Sequence, residues 1–345
     1  MLEYSQKELE GIFAQNRLSP EKHEETYRGP IQKLILPSHV FPTEDQVGVV
    51  VGAQSGAGKG ALIAYARKMF LPADAPTDAL ANVSIQNSDD LKTAAFLPHA
   101  PFVALNYPTH YTKITDQDTN DWSARALVDV IERGVNVIVE GTLRTDRHTK
   151  EMASWRDRGI FTVLQCLAVP DLESLLSIQE RYVAQVQERG YGRLVTKPHH
   201  DEAYKSMLTT VGGVEYSGGY DVIQILKRGT TIDNPIVMYC HVNGNFKTAE
   251  RLGIEPISNG YHSAVHALTT VREEERSIVM PTVQERVGIL LEDTARREKG
   301  AKTPQQLDGI RREREQILEI LRLYEQYQQG QYQKKNEIPV RVLSE

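Results

Sequence analysis

The chain has 345 residues, of which 40% are hydrophobic and 25% are charged, so it can bury a full core in one large domain with additions. A formal net charge of −6 argues against nucleic acid or an anionic membrane surface as the main partner. No apolar run approaches the ~18 residues of a membrane span, and no signal peptide is visible. The two cysteines, Cys166 and Cys240, lie in apolar runs, which is typical of core residues in a reducing compartment. The composition therefore predicts a cytoplasmic protein with no nucleic-acid and no membrane partner.

The predicted organisation has three parts. Residues 1–42 are polar, include a helix over 6–15, and are expected to wrap the core as an N-terminal extension. Residues 43–230 carry the alternating strands and helices of the core. Residues 231–345 are expected to form a C-terminal strand and a helical region.

A glycine-rich loop follows the first predicted strand, 47–51, and precedes an apolar segment of helical period. Its sequence, GAQSGAGK, matches the phosphate-loop signature G-x-x-x-x-G-K up to the lysine. The glycines let successive N–H groups point at one anion, and the positive end of the following helix favours the same charge. A glycine turn between two core elements would not require the lysine, so Lys59 is expected to reach the outer phosphates. The predicted phosphate-binding residues are Gly52, Ser55, Gly56, Ala57, Gly58, Lys59, Gly60 and Ala61.

The position after the lysine departs from the signature. A Ser or Thr hydroxyl usually ligates Mg²⁺ there, whereas this chain has Gly60 followed by Ala61. Small nucleotide kinases of the adenylate kinase type also carry glycine at this position, but they usually follow it with threonine. Magnesium is therefore expected to be held elsewhere, and no protein metal ligand is predicted.

Strands and helices alternate through the rest of the core. The predicted strands are 81–86, 135–142, 161–169 and 221–226, and the predicted helices are 122–133, 147–158, 171–188 and 201–208, with an irregular, substrate-facing stretch over 91–117. Crossovers of this length predict an α/β fold: a doubly wound, mostly parallel sheet of P-loop kinase type with an N-terminal extension and a helical C-terminal addition. Ligands of such folds bind at the carboxyl ends of the strands, where the loop, Asp89 and Glu140 should meet.

The C-terminal region shows one strand pattern over 235–242 and two helices. Each helix is predicted to start with a capping box, at Thr282 and at Thr303. The second helix has one apolar seam that spans fewer than three heptads, which favours packing on the parent domain over a dimer zipper.

A phosphate loop without the machinery of a motor protein predicts phosphoryl transfer to a small molecule. That reaction needs a base for the attacking hydroxyl, cations for the moving phosphoryl group and side chains that hold the acceptor. Asp89 is the candidate base, although a carboxylate there could also simply cap a helix. The candidate cations are Arg181, Arg189 and Arg193, which could instead form a solvated helix face. The candidate acceptor-binding residues are Glu140, Thr142 and Arg144, and Glu140 could also steady metal-bound water.

A histidine pair, His199 and His200, precedes Asp201 and raises the question of a metal site. Adjacent ring positions rarely converge on one ion, so a metal site is disfavoured here.

Several short motifs together resemble the zeta toxin family over about residues 43–228. They are the phosphate loop, NSDDLK at 87–92, VEGTLR at 139–144, LAVP at 167–170, Arg181-Tyr182, Gly192-Arg193 and His200-Asp201. The glutamate-glycine-threonine turn and the LAVP strand end are the specific parts. Zeta toxins are cytoplasmic kinases that use ATP and Mg²⁺ to phosphorylate the 3′-hydroxyl of the amino sugar in UDP-N-acetylglucosamine, and a small helical antitoxin blocks their nucleotide site.

The resemblance implies a role for each matching residue. Asp89 is the general base, Glu140 and Thr142 hold the acceptor, and the transferring phosphate is held by Lys59, Arg181 and Arg193. Ala124 stands where toxins that bind the sugar nucleotide tend to carry glutamate. Three alternatives stay open: a kinase of another acceptor such as NAD, an adenylate-kinase-like nucleotide kinase, and a nucleotide-binding protein without transferase activity.

Overall fold

The computed structural model describes residues 5–36, 45–71, 82–107, 110–229 and 234–330, and it is built on one six-stranded sheet. The strands in chain order are β1 (Val47–Gly52), β2 (Val83–Gln86), β3 (Asn136–Gly141), β4 (Phe161–Leu167), β5 (Val222–Lys227) and β6 (Ile236–Val242). Their spatial order is β2-β3-β1-β4-β5-β6. The first five strands are parallel, and β6 pairs with β5 in the antiparallel direction.

The central position of β1 explains its composition. Every residue of β1 is buried, because β3 and β4 flank it and helices cover both faces of the sheet. The predicted fold class, a mostly parallel doubly wound sheet of P-loop kinase type with a helical C-terminal region, is confirmed.

Helices form the layers around the sheet. Those before β3 are α1 (Gln6–Gln15), α2 (Pro20–Thr26), α3 (Gln32–Ile35), α4 (Lys59–Lys68), α5 (Ala100–Asn106) and α6 (Tyr111–Glu132), with a π-helical turn at Tyr27–Ile31. Those between β3 and β5 are α7 (Arg147–Asp157), α8 (Asp171–Arg189) and α9 (Lys197–Ser217). Those after β6 are α10 (Phe246–Arg251), α11 (Ala264–Val279), α12 (Val283–Gly300) and α13 (Pro304–Gln328), with a 3-10 turn at Met280–Thr282.

The prediction of an irregular stretch over 91–117 is wrong. That stretch contains α5 and the first turns of α6, a helix that begins well before position 122. Ile114, Trp122 and Ala126 lie on one buried side of α6, against the N-terminal helices: the indole Nε1 of Trp122 donates to the His23 carbonyl at 3.2 Å. Of the polar residues between them, Thr115, Asp118 and Thr119 are buried too, so the apolar helical period is weak in the sequence and packing decides it.

Helix α9 is also much longer than the predicted 201–208. Its interior holds Gly212 and Gly213, which lower helix propensity. Packing of α9 against α11 offsets that loss, and the helix ends only at Gly218, whose φ is +62°.

The C-terminal helices pack on the parent domain. The seam of α13 is buried with Leu172, Leu175 and Leu176 of α8 and with apolar residues of α12, so the seam packs inside the chain. One half of the capping box predicted at Thr303 is present, because the Thr303 hydroxyl accepts from the Gln306 N–H at 3.2 Å. The other half is not, because the Gln306 Oε1 accepts from the N–H of Lys302. The capping box predicted at Thr282 is wrong: Thr282 belongs to the 3-10 turn and makes no side-chain cap.

Two other sequence-based expectations concern burial and membranes. Cys166 and Cys240 are both unpaired and buried, as expected of core residues. Among the helices within the described ranges, none is long and apolar enough to cross a bilayer. The division of the chain at residues 42 and 230 stays a prediction.

Candidate active site

The carboxyl ends of the parallel strands open into a cavity of about 1370 Å³. Its walls come from the loop after β1, the turns after β2 and β3, one side of α6 and of α8, and the segment that precedes α9. A site for one small ligand typically measures roughly 300–1,000 Å³. This cavity therefore has room for two ligands, such as a nucleotide and a second molecule.

The phosphate loop has the backbone that the sequence predicts. Gly56 and Gly58 have φ of +81° and +92°, in the left-handed region that favours glycine. A Cβ on Gly56 would also lie 2.0 Å from the Ser174 carbonyl oxygen. Helix α4 starts directly after this curl, at Lys59, so its N-terminal N–H groups open toward the cavity.

Not every predicted loop residue faces the cavity. The residues that line it are Ser55, Gly56, Gly58, Lys59, Gly60 and Ala61. Gly52 is buried at the end of β1, where a Cβ would lie 2.2 Å from Cδ1 of Leu143. Ala57 is fully buried in the core beneath the loop.

Lys59 lies between the loop and the end of β3. Its Nζ is 3.4 Å from Oε1 of Glu140 and 3.4 Å from the Gln54 carbonyl oxygen. The sheet register explains the contact, since β1 and β3 are neighbours and Val51 pairs with Glu140. The structure thus brings a predicted phosphate cation and a predicted acceptor residue into one ion pair.

Asp89 follows β2 in a turn, and its N–H donates to Oδ1 of Asn87 at 3.0 Å. The carboxylate forms an ion pair with Arg193 and lies 3.4 Å from the Nζ of Lys92. Burial alone would raise the pKa of Asp89, but Arg193 and Lys92 outweigh it and hold the pKa well below its usual range. Asp89 is therefore ionised at neutral pH, and Arg193 is its partner in the ligand-free protein.

Lys92 is a site residue whose partners the sequence did not indicate. It is buried, and its Nζ lies 2.6 Å from Oδ1 of Asp116 in α6 as well as close to Asp89. The only sequence signal was its place at the end of the NSDDLK motif. Asp116 fell within the stretch predicted as irregular, so nothing in the sequence assigned it to a helix face at the site.

Asp90 lines the same cavity as Asp89, because β2 ends at Gln86 and strand alternation does not extend to these residues. The pKa of Asp90 is raised, first by burial and then by the nearby carboxylates of Glu140 and Asp89. The carboxylates of Asp89, Asp90 and Glu140 are therefore close enough to influence one another.

Arg181 faces the cavity from α8. Its Nε and one terminal nitrogen are inaccessible to solvent and have no hydrogen-bond partner within the described part of the chain. Burial, and secondly the charge of Arg193, lower the pKa of Arg181 to about 10, while Asp89 and Glu140 act in the opposite direction. A buried guanidinium without a partner is costly, and an anion in the cavity would remove that cost.

The remaining predicted residues differ in their surroundings. Thr142 lines the cavity, and Arg144 does too, although its guanidinium pairs with Glu202 at 2.9 Å. Between them, Leu143 is fully buried at a positive φ of +53°. A bulky residue there is strained, and such strain occurs at functional turns. Arg189 also lines the cavity and stacks on Tyr191.

The histidine pair does not form a metal site. His200 is fully buried, with Nε2 at 2.7 Å from the Ser174 hydroxyl and Nδ1 at 3.0 Å from Asp201. His199 points to the cavity instead. Across the described ranges, no group of three or more His, Cys, Asp or Glu side chains is arranged to hold a metal.

The side chains around the cavity fit a Mg²⁺ site only in part. Mg²⁺ is usually bound by one or two carboxylates together with substrate phosphates and water. Glu140 and Asp90 offer carboxylates on the walls of the cavity. After burial, the negative charges of Glu140 and Asp89 also raise the pKa of Asp90. The residues present therefore fit an ion held mainly by nucleotide oxygens and water.

Comparisons with known proteins give a family match and a likeness of fold. A family model described as zeta toxin matches residues 38–234, more than half of the chain, whereas no curated protein sequence matches significantly. The fold is similar to a solved structure of the PezAT chromosomal toxin–antitoxin system of the human pathogen Streptococcus pneumoniae, at 18% identity and a TM-score of 0.59, covering 80% of this chain and 98% of that one.

Two structures of AvrRxo1-ORF1 with AvrRxo1-ORF2 also align, one with sulphate ions and one with ATP. Each covers 92% of this chain and 91% of its own at 10% identity, with a TM-score of 0.49. At these identities the likeness to solved structures is one of fold.

Proposed function

The chain belongs to the zeta toxin family, and on that premise we propose that it is a kinase that transfers the γ-phosphate of ATP to a hydroxyl group of a small molecule. One observation carries the proposal. A space large enough for two ligands is lined by Lys59 of the glycine-rich loop, by an ionised Asp89 and by Arg181. Two buried nitrogens of the Arg181 guanidinium have no hydrogen-bond partner among the residues that the structure describes.

The reaction we propose is an in-line displacement. The acceptor hydroxyl attacks the γ-phosphorus, the bond to the β–γ bridging oxygen breaks, and ADP leaves. Asp89 accepts the hydroxyl proton. Lys59, Arg181 and Arg193 neutralise the phosphoryl oxygens. When the γ-phosphate draws Arg193 away, Asp89 loses its closest counterion, so its pKa rises and it becomes a better base.

Magnesium belongs to the same proposal, bound mainly to ATP oxygens and water with Glu140 or Asp90 nearby. It would neutralise charge on the β- and γ-phosphates. We expect ATP oxygens and water to be the main ligands because Gly60, at the position of the usual Ser or Thr ligand, has no side chain that could bind the ion.

Gly60→Thr is expected to lower the Mg²⁺ concentration for half-maximal activity roughly fivefold, if the added oxygen is worth about 1 kcal/mol. Space permits the change, because nothing lies within 4 Å of a Cβ at Gly60. Gly60→Val has the same shape without the hydroxyl and should leave the midpoint unchanged. An unchanged titration for the threonine variant would mean that another group already fills that coordination position.

The acceptor we propose is a nucleotide sugar, UDP-N-acetylglucosamine at its 3′-hydroxyl, as the family resemblance implies. Support comes from the cationic residues Lys113, Arg144 and Arg147, which line the cavity and would suit a phosphorylated acceptor. Ala124 is exposed on α6 and is not among the cavity residues, whereas Asn120, Ser123 and Leu127 of the same helix line the cavity. We therefore expect these three residues, together with Lys113 nearer the start of the helix, to contact the acceptor from α6.

The test is transfer from γ-labelled ATP to separate pools of sugar nucleotides, NAD and nucleoside monophosphates. Label in the sugar-nucleotide pool supports the proposed acceptor, and label in another pool identifies a zeta-like kinase of different specificity. ATP binding without transfer to any pool would favour a nucleotide-binding protein without transferase activity. We also propose that a protein antitoxin covers the nucleotide site and that the protein is cytoplasmic.

Lys59→Ala should reduce transfer by about 10²–10³-fold, the usual cost of removing one preorganised charge-stabilising group. The fold should persist, because the hydrogen bonds and ion pairs of this side chain among the described residues are those with Glu140 and with one carbonyl oxygen, each at 3.4 Å. Lys68→Ala, at the other end of α4, is the control for thermal stability and activity. Full turnover of Lys59→Ala would exclude this loop as the ATP site.

A further inference from the structure

Two chains of polar contacts connect the phosphate loop with α11 and α12. Both helices lie beyond residue 234, where the match to the family model ends. The first chain reaches the loop through buried side chains, whereas the second ends at Arg228, which also lines the cavity.

The first chain starts at Arg272 of α11, which is buried under the sheet edge and stacks on the ring of Tyr204 at 3.9 Å. Its terminal nitrogen donates to Oε1 of Gln54 at 3.2 Å. The amide nitrogen of Gln54 in turn donates to the Val169 carbonyl at 2.8 Å and to the Ser174 hydroxyl at 3.2 Å.

These partners define the orientation of Gln54. A guanidinium can only donate and a carbonyl can only accept, so the amide oxygen must face Arg272 and the amide nitrogen must face Val169. Gln54 is fully buried, and its own carbonyl accepts from the N–H of Ala57 at 3.2 Å and from Lys59. Arg272 therefore holds the side chain of Gln54, the residue whose carbonyl closes the turn of the loop.

The second chain starts at Arg286 of α12, whose guanidinium pairs with Glu173 of α8. Glu173 also pairs with Arg228, which follows β5. Arg228 then donates from Nε to the Ala57 carbonyl at 3.2 Å and from a terminal nitrogen to the Gly56 carbonyl at 3.0 Å.

The second chain acts on the orientation of peptide planes. A trans peptide unit is planar, with its C=O and N–H pointing in opposite directions. Because Arg228 holds the carbonyl of Ala57, the N–H of Gly58 is directed to the opposite side of the loop. Oriented N–H groups are what make such a loop an anion site.

Both arginines are held in place by the packing of their helices. Helix α12 buries Val283, Val287 and Leu290 against α8 and α13, and α11 packs on α9 and the β5–β6 edge. We propose that Arg272 and Arg286 are positioning residues of the phosphate loop, so that the C-terminal helices set the loop conformation that binds the nucleotide. The part of this inference that concerns ATP affinity rests on the proposed function.

The test compares Arg286→Met with Arg297→Met in the full chain. Both arginines lie on α12, each pairs with two carboxylates, and their side chains are 22% and 15% exposed. Arg297 pairs with Asp293 and Glu313 within the α12–α13 hairpin and lies over the ring of Tyr182 of α8 at 5.8 Å. None of these three partners forms a hydrogen bond or ion pair with the phosphate loop among the described residues. Comparable losses of thermal stability are therefore expected from the two variants.

The readout is hydrogen exchange of the loop peptide, residues 52–60, in the nucleotide-free protein. Arg286→Met is expected to speed exchange of the loop amides about tenfold, whereas Arg297→Met leaves them as in the wild type. Adding Arg286→Met to a Glu173→Gln background should produce less additional exchange than Arg286→Met alone, because both changes interrupt one chain. Equal exchange in the two arginine variants, or full additivity, would overturn the proposal.

ATP affinity separates this inference from the proposed function. If the wild type binds ATP, Arg286→Met should weaken binding about tenfold and Arg297→Met should not; equal affinities would count against the positioning role. If the wild type does not bind ATP but the loop exchange still differs as expected, the kinase proposal fails and the positioning role stands. Arg272→Met tests the first chain with the same two readouts.

Discussion

Asp89→Asn is expected to lower the rate of phosphoryl transfer by about 10²–10⁴-fold, the usual contribution of a positioned general base. The amide keeps the shape and the hydrogen-bonding reach of the carboxylate but cannot take the proton. Affinity for ATP should stay at the wild-type level or increase, because Arg193 loses its ion pair with Asp89 and is freer to engage the phosphate. Single-turnover transfer and ATP titration measure the two quantities separately.

Asp116→Asn is the matched control for this variant. Asp89 and Asp116 both contact Lys92, and their side chains are 35% and 32% exposed. The control should therefore lose less than about tenfold, the effect of perturbing one ion pair. Equal losses in the two variants would show that neutralising Lys92, and not proton transfer, is the function of these acids.

Asp90→Asn tests whether Asp89 or its neighbour Asp90 is the general base. A continued strand would put Asp90 on the opposite side of the chain from Asp89, but β2 ends earlier and both acids line the cavity. Loss of turnover in Asp90→Asn with Asp89→Asn still active would identify Asp90 as the base. If neither variant loses activity, the carboxylate-base mechanism is wrong, and the non-transferring alternative becomes the better description.

Arg181→Met is expected to have the largest effect on chemistry, about 10³–10⁵-fold in the rate of transfer, the range for arginines that stabilise a phosphoryl transition state. The same variant should be at least as stable as the wild type. The folded state lowers the pKa of Arg181 to about 10, so the charged form opposes folding at every pH below that value. The gain on removing the charge is of the order of a few kcal/mol, because each pKa unit corresponds to about 1.4 kcal/mol.

The measurements are transfer rates and thermal unfolding for Arg181→Met, Arg181→Lys and Arg189→Met. Arg181→Lys keeps the charge without the planar fork, so its rate should lie between wild type and Arg181→Met. Arg189→Met removes an exposed arginine of the same helix and should change the rate far less. A destabilised but active Arg181→Met would mean that the guanidinium serves the fold and not the reaction.

The sequence alone determined the phosphate loop and the edge of the sheet at which the site lies. A β-branched strand, a glycine curl and a helix depend on residues that are neighbours in the chain, so the pattern around Lys59 could be recognised locally. The ends of parallel strands meet at one edge, which is why Asp89 and Glu140 could be assigned to the same site without coordinates.

Only the tertiary structure decided which charges face one another. Lys59 with Glu140, and Asp89 with Arg193, are pairs of residues about 80 and 104 positions apart, and no local period encodes such contacts. The early start of α6, which supplies Asp116 to the cavity, depends on burial of Trp122 and its neighbours under the N-terminal helices. The contacts of Arg272 and Arg286 with the loop depend on how α11 and α12 pack, because side chains from distant segments meet only after the helices that carry them have docked on the sheet.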